Sequence, residues 1–258
     1  MPKLAANLSM MFNEVPFLDR FAAAAAAGFT AVEYLFPYDF AAADLRARLT
    51  DAGLQQVLFN APPGDWAGGE RGLASLPGRQ QEFRDGIARA LDYAVALDCP
   101  LVHVMAGIPH GVAPVTAAAL YAANLAWAGE QALAAGKRLA IEPINHRDMP
   151  GFHLNTVEQG AAIVAAIGVD RIGLQFDIYH CQVTQGDVTK RMEALMPVIA
   201  HMQIADVPAR NEPGTGEIGW EFVLRRIDEL GYQGWVGCEY RPAAGTVAGL
   251  AWRTRYGV

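Results

Sequence analysis

The sequence predicts a single α/β domain in which eight parallel β-strands, each followed by a helix, close into a barrel. The chain has 258 residues, and barrels of this kind typically have about 250. Eight short apolar segments recur along the chain, and helical patterns separate them. Because strands that alternate with helices are typical of parallel sheets with right-handed crossovers, these observations predict a (β/α)8 TIM barrel.

The predicted strands are short apolar runs bounded by turn residues and helical segments. Near-continuous apolar runs of this length are typical of parallel strands that are buried on both faces. The runs lie at residues 4–11, 31–36, 55–60, 101–106, 139–145, 172–177, 199–205 and 235–240. Their number is the one that closes a barrel of this class.

Amphipathic helical patterns fill most of the segments between the strands. They lie at residues 15–27, 41–52, 79–97, 116–135, 156–167, 188–196 and 221–230. Several of them end at a glycine, which adopts the left-handed conformation that terminates a helix. These glycines are Gly28, Gly53, Gly136, Gly168 and Gly231. The alternation of strand and helix therefore continues along the whole chain.

An open, doubly wound sheet is the alternative arrangement of the same elements. The first strand is followed by Ser-Met-Met-Phe-Asn-Glu at residues 9–14, without the glycine-rich loop that cradles dinucleotide phosphates in open sheets. No linker, low-complexity tract or basic run divides the chain, so residues 1–258 are expected to form one domain. The longest irregular stretch, residues 61–77, is rich in glycine and proline. A loop of this length is typically functional, and we expect a lid here.

Composition and charge argue against several classes of function. The formal net charge is −7, whereas nucleic-acid binding depends on lysine and arginine, so we expect no nucleic-acid partner. The three cysteines are widely spaced and form no CxxC pair, which indicates a reducing compartment and no disulfide framework. No signal peptide is visible, and the apolar run at 22–27 is too short to cross a bilayer. A cytoplasmic protein without membrane contact is expected, and the sequence is compatible with a homo-oligomer.

Three carboxylates lie at the ends of predicted strands: Glu142, Asp177 and Glu239. Side chains two positions apart share a face of a strand, so each carboxylate shares its face with a small or polar residue and lies opposite apolar ones. The residues that share these faces are Ala140, Gly173, Gln175 and Gly237. Active sites of barrels form where the carboxyl ends of the strands meet, so we expect the three carboxylates to converge there.

Clustered carboxylates repel one another unless a cation or shared protons offset their charge. A divalent metal such as Mg²⁺ or Mn²⁺ suits oxygen ligands, and Gln203 on the seventh strand can add a neutral carbonyl. The sequence therefore predicts a metal site formed by Glu142, Asp177, Gln203 and Glu239. A salt bridge at the barrel rim is the structural alternative for any one carboxylate, but it explains three of them less well.

Other side chains near these strand ends are candidates for binding a small anionic hydroxy or oxo acid. His180 follows Asp177 by three residues and can orient a substrate or transfer a proton near neutral pH. Arg210 and Arg241 can grip a carboxylate with paired donors, and Trp66 can form a wall of the pocket. A rim histidine, surface arginines and a packed aromatic ring are the structural alternatives. His103 and His201 lie within strands and are expected to be hydrogen-bonded interior groups.

The sequence resembles the hydroxypyruvate isomerase family of the xylose-isomerase-like barrel superfamily over essentially its whole length. The segments that carry the resemblance are Asn-Leu-Ser-Met-Met-Phe at 7–12, Ile-Glu-Pro-Ile-Asn at 141–145, Pro-Gly-Phe-His-Leu-Asn-Thr at 150–156, Phe-Asp-Ile-Tyr-His at 176–180, His-Met-Gln-Ile-Ala-Asp at 201–206, Arg-Asn-Glu-Pro-Gly-Thr-Gly-Glu at 210–217 and Gly-Cys-Glu-Tyr at 237–240. The resemblance implies interconversion of hydroxypyruvate and tartronate semialdehyde in glyoxylate metabolism. It also implies that Glu142 and Glu239 are the paired acid and base, and that both line the metal position with Asp177 and Gln203.

Several alternatives remain open from the sequence. Related ketose epimerases usually have histidine at the position of Gln203, and close relatives of the family act on four-carbon 2-oxo acids. Epimerisation at C3 of a ketose uses the same enediolate chemistry as the isomerisation. An abasic-site endonuclease on the same barrel would need a histidine-rich zinc cluster and basic loops, which the sequence does not provide. A barrel that binds a ligand without catalysis is the remaining alternative.

Overall fold

The computed structural model describes residues 2–258 and contains a closed barrel of eight parallel strands in chain order. The strands are β1 Lys3–Asn7, β2 Ala31–Tyr34, β3 Gln55–Asn60, β4 Leu101–His103, β5 Arg138–Ile141, β6 Ile172–Asp177, β7 Ile199–Ile204 and β8 Trp235–Cys238. The barrel closes where β8 pairs with β1, with Leu4 opposite Val236. The predicted (β/α)8 fold is confirmed.

Helices surround the barrel and connect its strands. They are α1 Arg20–Ala26, α2 Ala42–Ala52, α3 Gln80–Leu97, α4 Pro114–Ala134, α5 Val157–Ile167, α6 Ile178–Thr184, α7 Val188–Leu195, α8 Trp220–Glu229, α9 Thr246–Gly249 and α10 Ala251–Tyr256. Two short 3₁₀ helices, Phe17–Asp19 and Met196–Val198, precede α1 and β7. The helical periodicity therefore located all seven of the long predicted helices.

The differences from the predicted elements concentrate at the carboxyl ends of the strands. β5 ends at Ile141 and β8 at Cys238, so Glu142 and Glu239 are the first residues beyond their strands. The chain turns there instead of continuing the ladder: the backbone N–H of Glu239 bonds to the carbonyl of Gly237 at 3.0 Å. The predicted helix at 15–27 was too long, because its first turns form the 3₁₀ segment after Pro16.

The barrel has apolar residues outside and small or polar residues inside, as the parity of the strands predicted. Leu139 and Ile141 belong to the large core between strands and helices, whereas Ala140 belongs to a small cluster within the barrel. A Cβ atom on Gly237 would lie 2.3 Å from a carboxylate oxygen of Glu33. Gly237 therefore faces the barrel interior, where a buried glutamate occupies the space that a side chain would fill.

Two further expectations concern the whole chain. The three cysteines are buried and free, in agreement with the prediction of no disulfide framework. Among residues 2–258, none of the helices is both long enough and apolar enough to span a lipid bilayer.

Candidate active site

Four titratable side chains converge at the carboxyl end of the barrel. Glu142 follows β5, Asp177 ends β6, His180 lies in α6, and Glu239 follows β8. One potential ligand atom of each lies within 4.8 Å of those of the others, and all four residues are buried. A cavity of about 210 Å³ opens above them, and Glu142, His180 and Glu239 line it. The structure thus brings together the three carboxylates that the strand parity predicted to converge.

The short helix α6 positions both Asp177 and His180. Asp177 is its N-cap, and its Oδ1 accepts hydrogen bonds from the backbone N–H groups of Tyr179 at 2.8 Å and His180 at 3.4 Å. An aspartate at this position satisfies amides that the first turn leaves without partners. Since Oδ1 is occupied by the cap, Oδ2 remains directed to the cluster and has no hydrogen-bond partner.

The hydrogen bonds around His180 assign its tautomer. Its Nδ1 receives the backbone N–H of Asn145 at 3.4 Å and contacts the Asn145 side-chain nitrogen at 2.6 Å. The Asn145 side-chain oxygen already accepts the backbone N–H of Asp148 at 2.8 Å, so its amide nitrogen is the atom that faces the ring. Nδ1 is therefore an acceptor, and the proton of the neutral ring lies on Nε2. Nε2 lies 3.7 Å from Glu142 and 3.6 Å from Asp177, where it can donate to an anionic group.

Burial raises the pKa values of all three carboxyl groups. Burial, with the charges of Glu239 and Asp177, raises the pKa of Glu142 well above its ordinary value. Burial raises the pKa of Glu239 to about 8 and that of Asp177 to about 6, although Arg210 acts in the opposite direction on both. Burial and the nearby Arg210 lower the pKa of His180 well below its usual range. Carboxyl groups that hold protons near neutral pH are suited to acid and base catalysis.

Arg210 lies within this cluster. Its Nη2 forms an ion pair with Glu239 and lies 3.5 Å from Asp177, while its Nη1 lies 3.7 Å from Asp148. The guanidinium stacks on the ring of Tyr179 at 4.9 Å. Burial works against its positive charge, but Glu239 and Asp177 outweigh burial and raise the pKa of Arg210. Arg210 therefore supplies a permanent positive charge that partly offsets the carboxylates.

The other two predicted substrate-binding residues, Trp66 and Arg241, also line the cavity. Trp66 is half-buried and lies on the irregular loop between β3 and α3. Arg241 is exposed and lies at the boundary with an adjoining open cavity of about 580 Å³. Met10 lines both cavities. The placement fits a role in substrate binding for both residues, and the role itself stays a prediction.

Gln203 is placed differently from the other predicted metal ligands. Its side-chain nitrogen donates to Glu33 at 2.8 Å, and its carbonyl oxygen accepts from Gln175 at 2.6 Å. Both ends of the amide are therefore engaged by protein groups inside the barrel. Ligation of a metal by Gln203 stays a prediction, and it would require the carbonyl to share or leave Gln175.

The sequence reasoning missed Glu33, which is 1% exposed and lies in the middle of β2. Its carboxylate contacts Nε2 of His201 at 2.6 Å and accepts from Gln203 and, at 3.0 Å, from Asn7. The Asn7 amide also reaches Glu239 at 3.3 Å. The same parity argument that selected the other carboxylates places Glu33 on the inner face with Ala31, so the signal was present.

The donor set at the mouth of the barrel fits a hard divalent cation. Glu142 Oε1 and Asp177 Oδ2 are buried atoms without a hydrogen-bond partner, and buried polar atoms are normally paired. Oxygen ligands are the ones that Mg²⁺ and Mn²⁺ prefer. Since the His180 proton lies on Nε2, the three carboxylates are the groups of this cluster that could hold such an ion.

Comparison with known proteins places this site in a family. The model of the family described as xylose isomerase-like TIM barrel matches residues 21–256. The chain is 55% identical to a 2-oxo-tetronate isomerase of Cupriavidus necator, over 99% of both chains. It is 44% identical to a hydroxypyruvate isomerase of Escherichia coli, over 99% of this chain and 100% of the relative. A solved structure from Brucella melitensis, described as an AP endonuclease of family 2, superposes with a TM-score of 0.97 at 45% identity and covers 99% of both chains. The chain belongs to the xylose isomerase-like TIM barrel family.

Proposed function

We propose that this protein is an aldose–ketose type isomerase that interconverts hydroxypyruvate and tartronate semialdehyde. The observation that carries the proposal is the pair Glu142 and Glu239, two buried glutamates with raised pKa values that border one cavity. Shifting a carbonyl group between adjacent carbons requires one group that removes a proton and one that supplies a proton. The identity to relatives named as isomerases of small hydroxy-oxo acids supports the same reaction class.

The proposed reaction is a proton transfer through an enediolate. One glutamate removes the proton from C2 of tartronate semialdehyde, and the electron pair moves into the bond between C2 and C3. A proton passes from the C2 oxygen to the C3 oxygen, and the other glutamate delivers a proton to C3 to complete hydroxypyruvate. The atoms of the substrate are conserved, and both glutamates end the cycle in their exchanged protonation states, which solvent restores.

The surrounding groups stabilise the negative charge that develops on the substrate oxygens. The Nε2–H of His180 is directed to the cluster and can donate to an oxyanion, and Arg210 offsets charge on Glu239 and Asp177. Donors that are fixed before the reaction are effective because they require no reorganisation. We propose that Glu142, Asp177 and Glu239, with Gln203, hold a Mg²⁺ or Mn²⁺ ion, which when bound would polarise the carbonyl group.

A second candidate substrate is a four-carbon 2-oxo acid. The specific observation in its favour is the 55% identity to a 2-oxo-tetronate isomerase, which exceeds the identity to the hydroxypyruvate isomerase. The adjoining cavity beyond Arg241 offers space for one more hydroxylated carbon. The proton transfers would be the same, because the extra carbon lies outside the reacting pair.

Two further readings have less support. Binding of an abasic site in DNA would need basic surfaces, whereas the net charge is −7. The metal-ligand cluster contains one histidine, and its hydrogen bonds make that histidine a donor. Ketose 3-epimerisation would require the proton to return to the opposite face of the same carbon.

We also propose a reducing, cytoplasmic location for this protein, and its buried free cysteines are consistent with that location.

The proposal is tested by assaying hydroxypyruvate and 2-oxo-tetronate side by side, with and without a chelator, and following products by proton NMR. We expect turnover of hydroxypyruvate to tartronate semialdehyde. The chelator should greatly reduce the rate of turnover, and added Mg²⁺ or Mn²⁺ should restore it. Higher kcat/KM for 2-oxo-tetronate would select the second candidate. Turnover of neither acid, together with epimerisation of free ketoses, would overturn the proposal.

A further inference from the structure

The irregular loop between β3 and α3 is held against the mouth of the barrel at a defined point. Gly72 has a φ of +110°, and a Cβ atom there would lie 2.2 Å from the carbonyl oxygen of Met105. Only glycine permits this conformation and this close approach. The backbone N–H of Ser75 bonds to the carbonyl of Ala106 at 2.9 Å. The preceding residue, Arg71, is therefore fixed beside the cavity.

The side chain of Arg71 is also held in place, but only by uncharged groups. Its guanidinium lies 3.9 Å from the centre of the Trp66 ring. Its Nη1 donates to the backbone carbonyls of Trp66 at 3.0 Å and Glu70 at 2.7 Å. These contacts orient the planar group and leave Nη2 and Nε as donors without a hydrogen-bond partner among residues 2–258. The positive charge is thus preorganised and not neutralised.

Glu70, the acidic residue adjacent to Arg71 in the chain, is already paired with other residues. Glu70 accepts the backbone N–H of Asp65 at 2.6 Å and forms an ion pair with Arg79. Arg210, a second arginine that lines the cavity, is paired with Glu239, Asp177 and Asp148. The charge of Arg210 is therefore matched from within the protein, whereas that of Arg71 is available to a ligand.

We propose that Arg71, held by Trp66, binds the carboxylate of the substrate and determines the preference for acids over neutral sugars. Arg71 lines the same cavity as Glu142 and Glu239, so a short acid bound there can reach both. A guanidinium matches a carboxylate with two parallel donors, and its prior fixation on Trp66 reduces the entropy lost on binding. This inference rests on the proposed function, because it assigns the group that recognises the anionic end of that substrate.

The experiment compares Arg71→Gln, which removes the charge, with Arg71→Lys, which keeps the charge without the planar fork. Arg84→Gln is the matched control, since Arg84 stacks on Trp127 at 5.1 Å but does not line the cavity. Two quantities are measured: kinetics with hydroxypyruvate and with neutral dihydroxyacetone, and calorimetric binding of tartronate, a three-carbon diacid that cannot isomerise.

We expect Arg71→Gln to raise both the KM for hydroxypyruvate and the Kd for tartronate by roughly 10- to 100-fold, the loss typical of a hydrogen bond to a charged group. The effect on kcat should be smaller, and selectivity for the acid over dihydroxyacetone should fall. Arg71→Lys should lie between Arg71→Gln and the wild type, and Arg84→Gln should match the wild type.

An unchanged Kd for tartronate in a folded Arg71→Gln variant would overturn the inference, as would a wild type that does not bind tartronate. These outcomes are distinguishable from failure of the proposed function. If only the proposed function failed, the wild type would bind tartronate and Arg71→Gln would weaken that binding, but the wild type would turn over neither hydroxypyruvate nor 2-oxo-tetronate.

Discussion

Two buried glutamates inside the same barrel have opposite surroundings. Glu33 is 1% exposed, and its two carboxylate oxygens contact His201, Gln203 and Asn7 at 2.6–3.0 Å. Glu142 is 5% exposed, and its Oε1 has no hydrogen-bond partner. His180 Nε2 lies 3.7 Å and His103 Nδ1 lies 3.8 Å from the Glu142 carboxylate, both beyond hydrogen-bond length.

The difference separates a structural carboxylate from a reactive one. A buried charge with a full set of donors stabilises the arrangement around it, whereas a buried charge without donors destabilises the folded chain. A buried carboxyl group without a partner and with a raised pKa is typical of sites that bind a ligand or transfer a proton. We therefore expect substitution of Glu33 to affect mainly folding and substitution of Glu142 to affect mainly turnover.

The largest expected effect is on turnover by Glu142→Gln. The substitution preserves shape but removes the group that accepts or delivers the proton, and a positioned acid or base typically contributes about 10² to 10⁴-fold in rate. We expect kcat/KM for hydroxypyruvate to fall by that factor while circular dichroism stays unchanged. Near-wild-type activity in the purified variant would contradict the two-glutamate mechanism.

The second effect is on the stability of Glu33→Gln. The new amide would place hydrogens against the donors of Asn7 and Gln203, so we expect a loss of about 3 kcal/mol, within the range for breaking a buried ionic network. Urea unfolding at pH 8 measures it. A loss below 0.5 kcal/mol, which is typical of a surface substitution, would contradict the structural role.

Glu142→Gln is the matched control in that unfolding experiment. We expect it to change the free energy of unfolding in the opposite direction from Glu33→Gln. The folded pKa of Glu142 lies well above the ordinary value of 4.5, so its contribution to stability is full below pH 4.5 and is lost as pH rises toward the folded pKa. Removing the titrating group removes that loss. At pH 8, without metal, the variant should be at least as stable as the wild type, and lower stability would contradict the assigned strain.

The third effect is the pH dependence of metal binding. A divalent ion competes with protons for the carboxylates, and burial raises the pKa of Asp177 to about 6 and that of Glu239 to about 8. The affinity for Mn²⁺ should therefore increase by about tenfold or more from pH 6 to pH 8. Calorimetry in buffers of different ionisation enthalpy should detect proton release. Binding without proton release and with no dependence on pH would contradict the raised pKa values.

The smallest expected effect is that of Asn145→Ala. Asn145 holds His180 with its ring proton on Nε2, so its loss should allow the other tautomer. We expect kcat to fall by about tenfold, which corresponds to about 1.4 kcal/mol, with KM nearly constant. A change in KM alone would indicate that Asn145 acts on substrate binding instead of on His180.

The periodicity of the sequence was sufficient to predict the barrel and the inward face of each carboxylate. Local patterns describe a strand because side chains alternate along it, which is why Glu142, Asp177 and Glu239 were placed together. The same patterns predicted strands that were too long at their carboxyl ends. The turn at Glu239 depends on where the hydrogen bonds to the neighbouring strand end, which a local pattern does not show. The short helix α6 was missed because its seven residues after Asp177 are too few for a periodic signal.

Partners that are distant in the chain were the part that the sequence could not provide. Glu33 and His201 are 168 positions apart, and no local pattern predicts that they form a pair. The importance of Arg71 depends on a nearer pair, because Glu70 is engaged by Arg79, nine positions away, and the sequence does not show which of the two arginines pairs with Glu70. The chemistry of single residues was therefore visible in the sequence, whereas the state of each residue, paired or unpaired, required the structure.

The most direct test of the account follows solvent deuterium at C3 of the hydroxypyruvate that forms from tartronate semialdehyde, by proton NMR, with an enzyme-free sample as the background. The wild type should form hydroxypyruvate with deuterium at C3 in heavy water, because one glutamate removes the C2 proton and the other delivers a solvent-derived deuteron to C3. Glu142→Gln should reduce the initial rate of this incorporation to near the background, whereas Glu33→Gln, kept at a temperature where it is folded, should retain a rate well above it. Incorporation at the wild-type rate in Glu142→Gln would contradict the central claim that the unpaired glutamate at the barrel mouth transfers the proton.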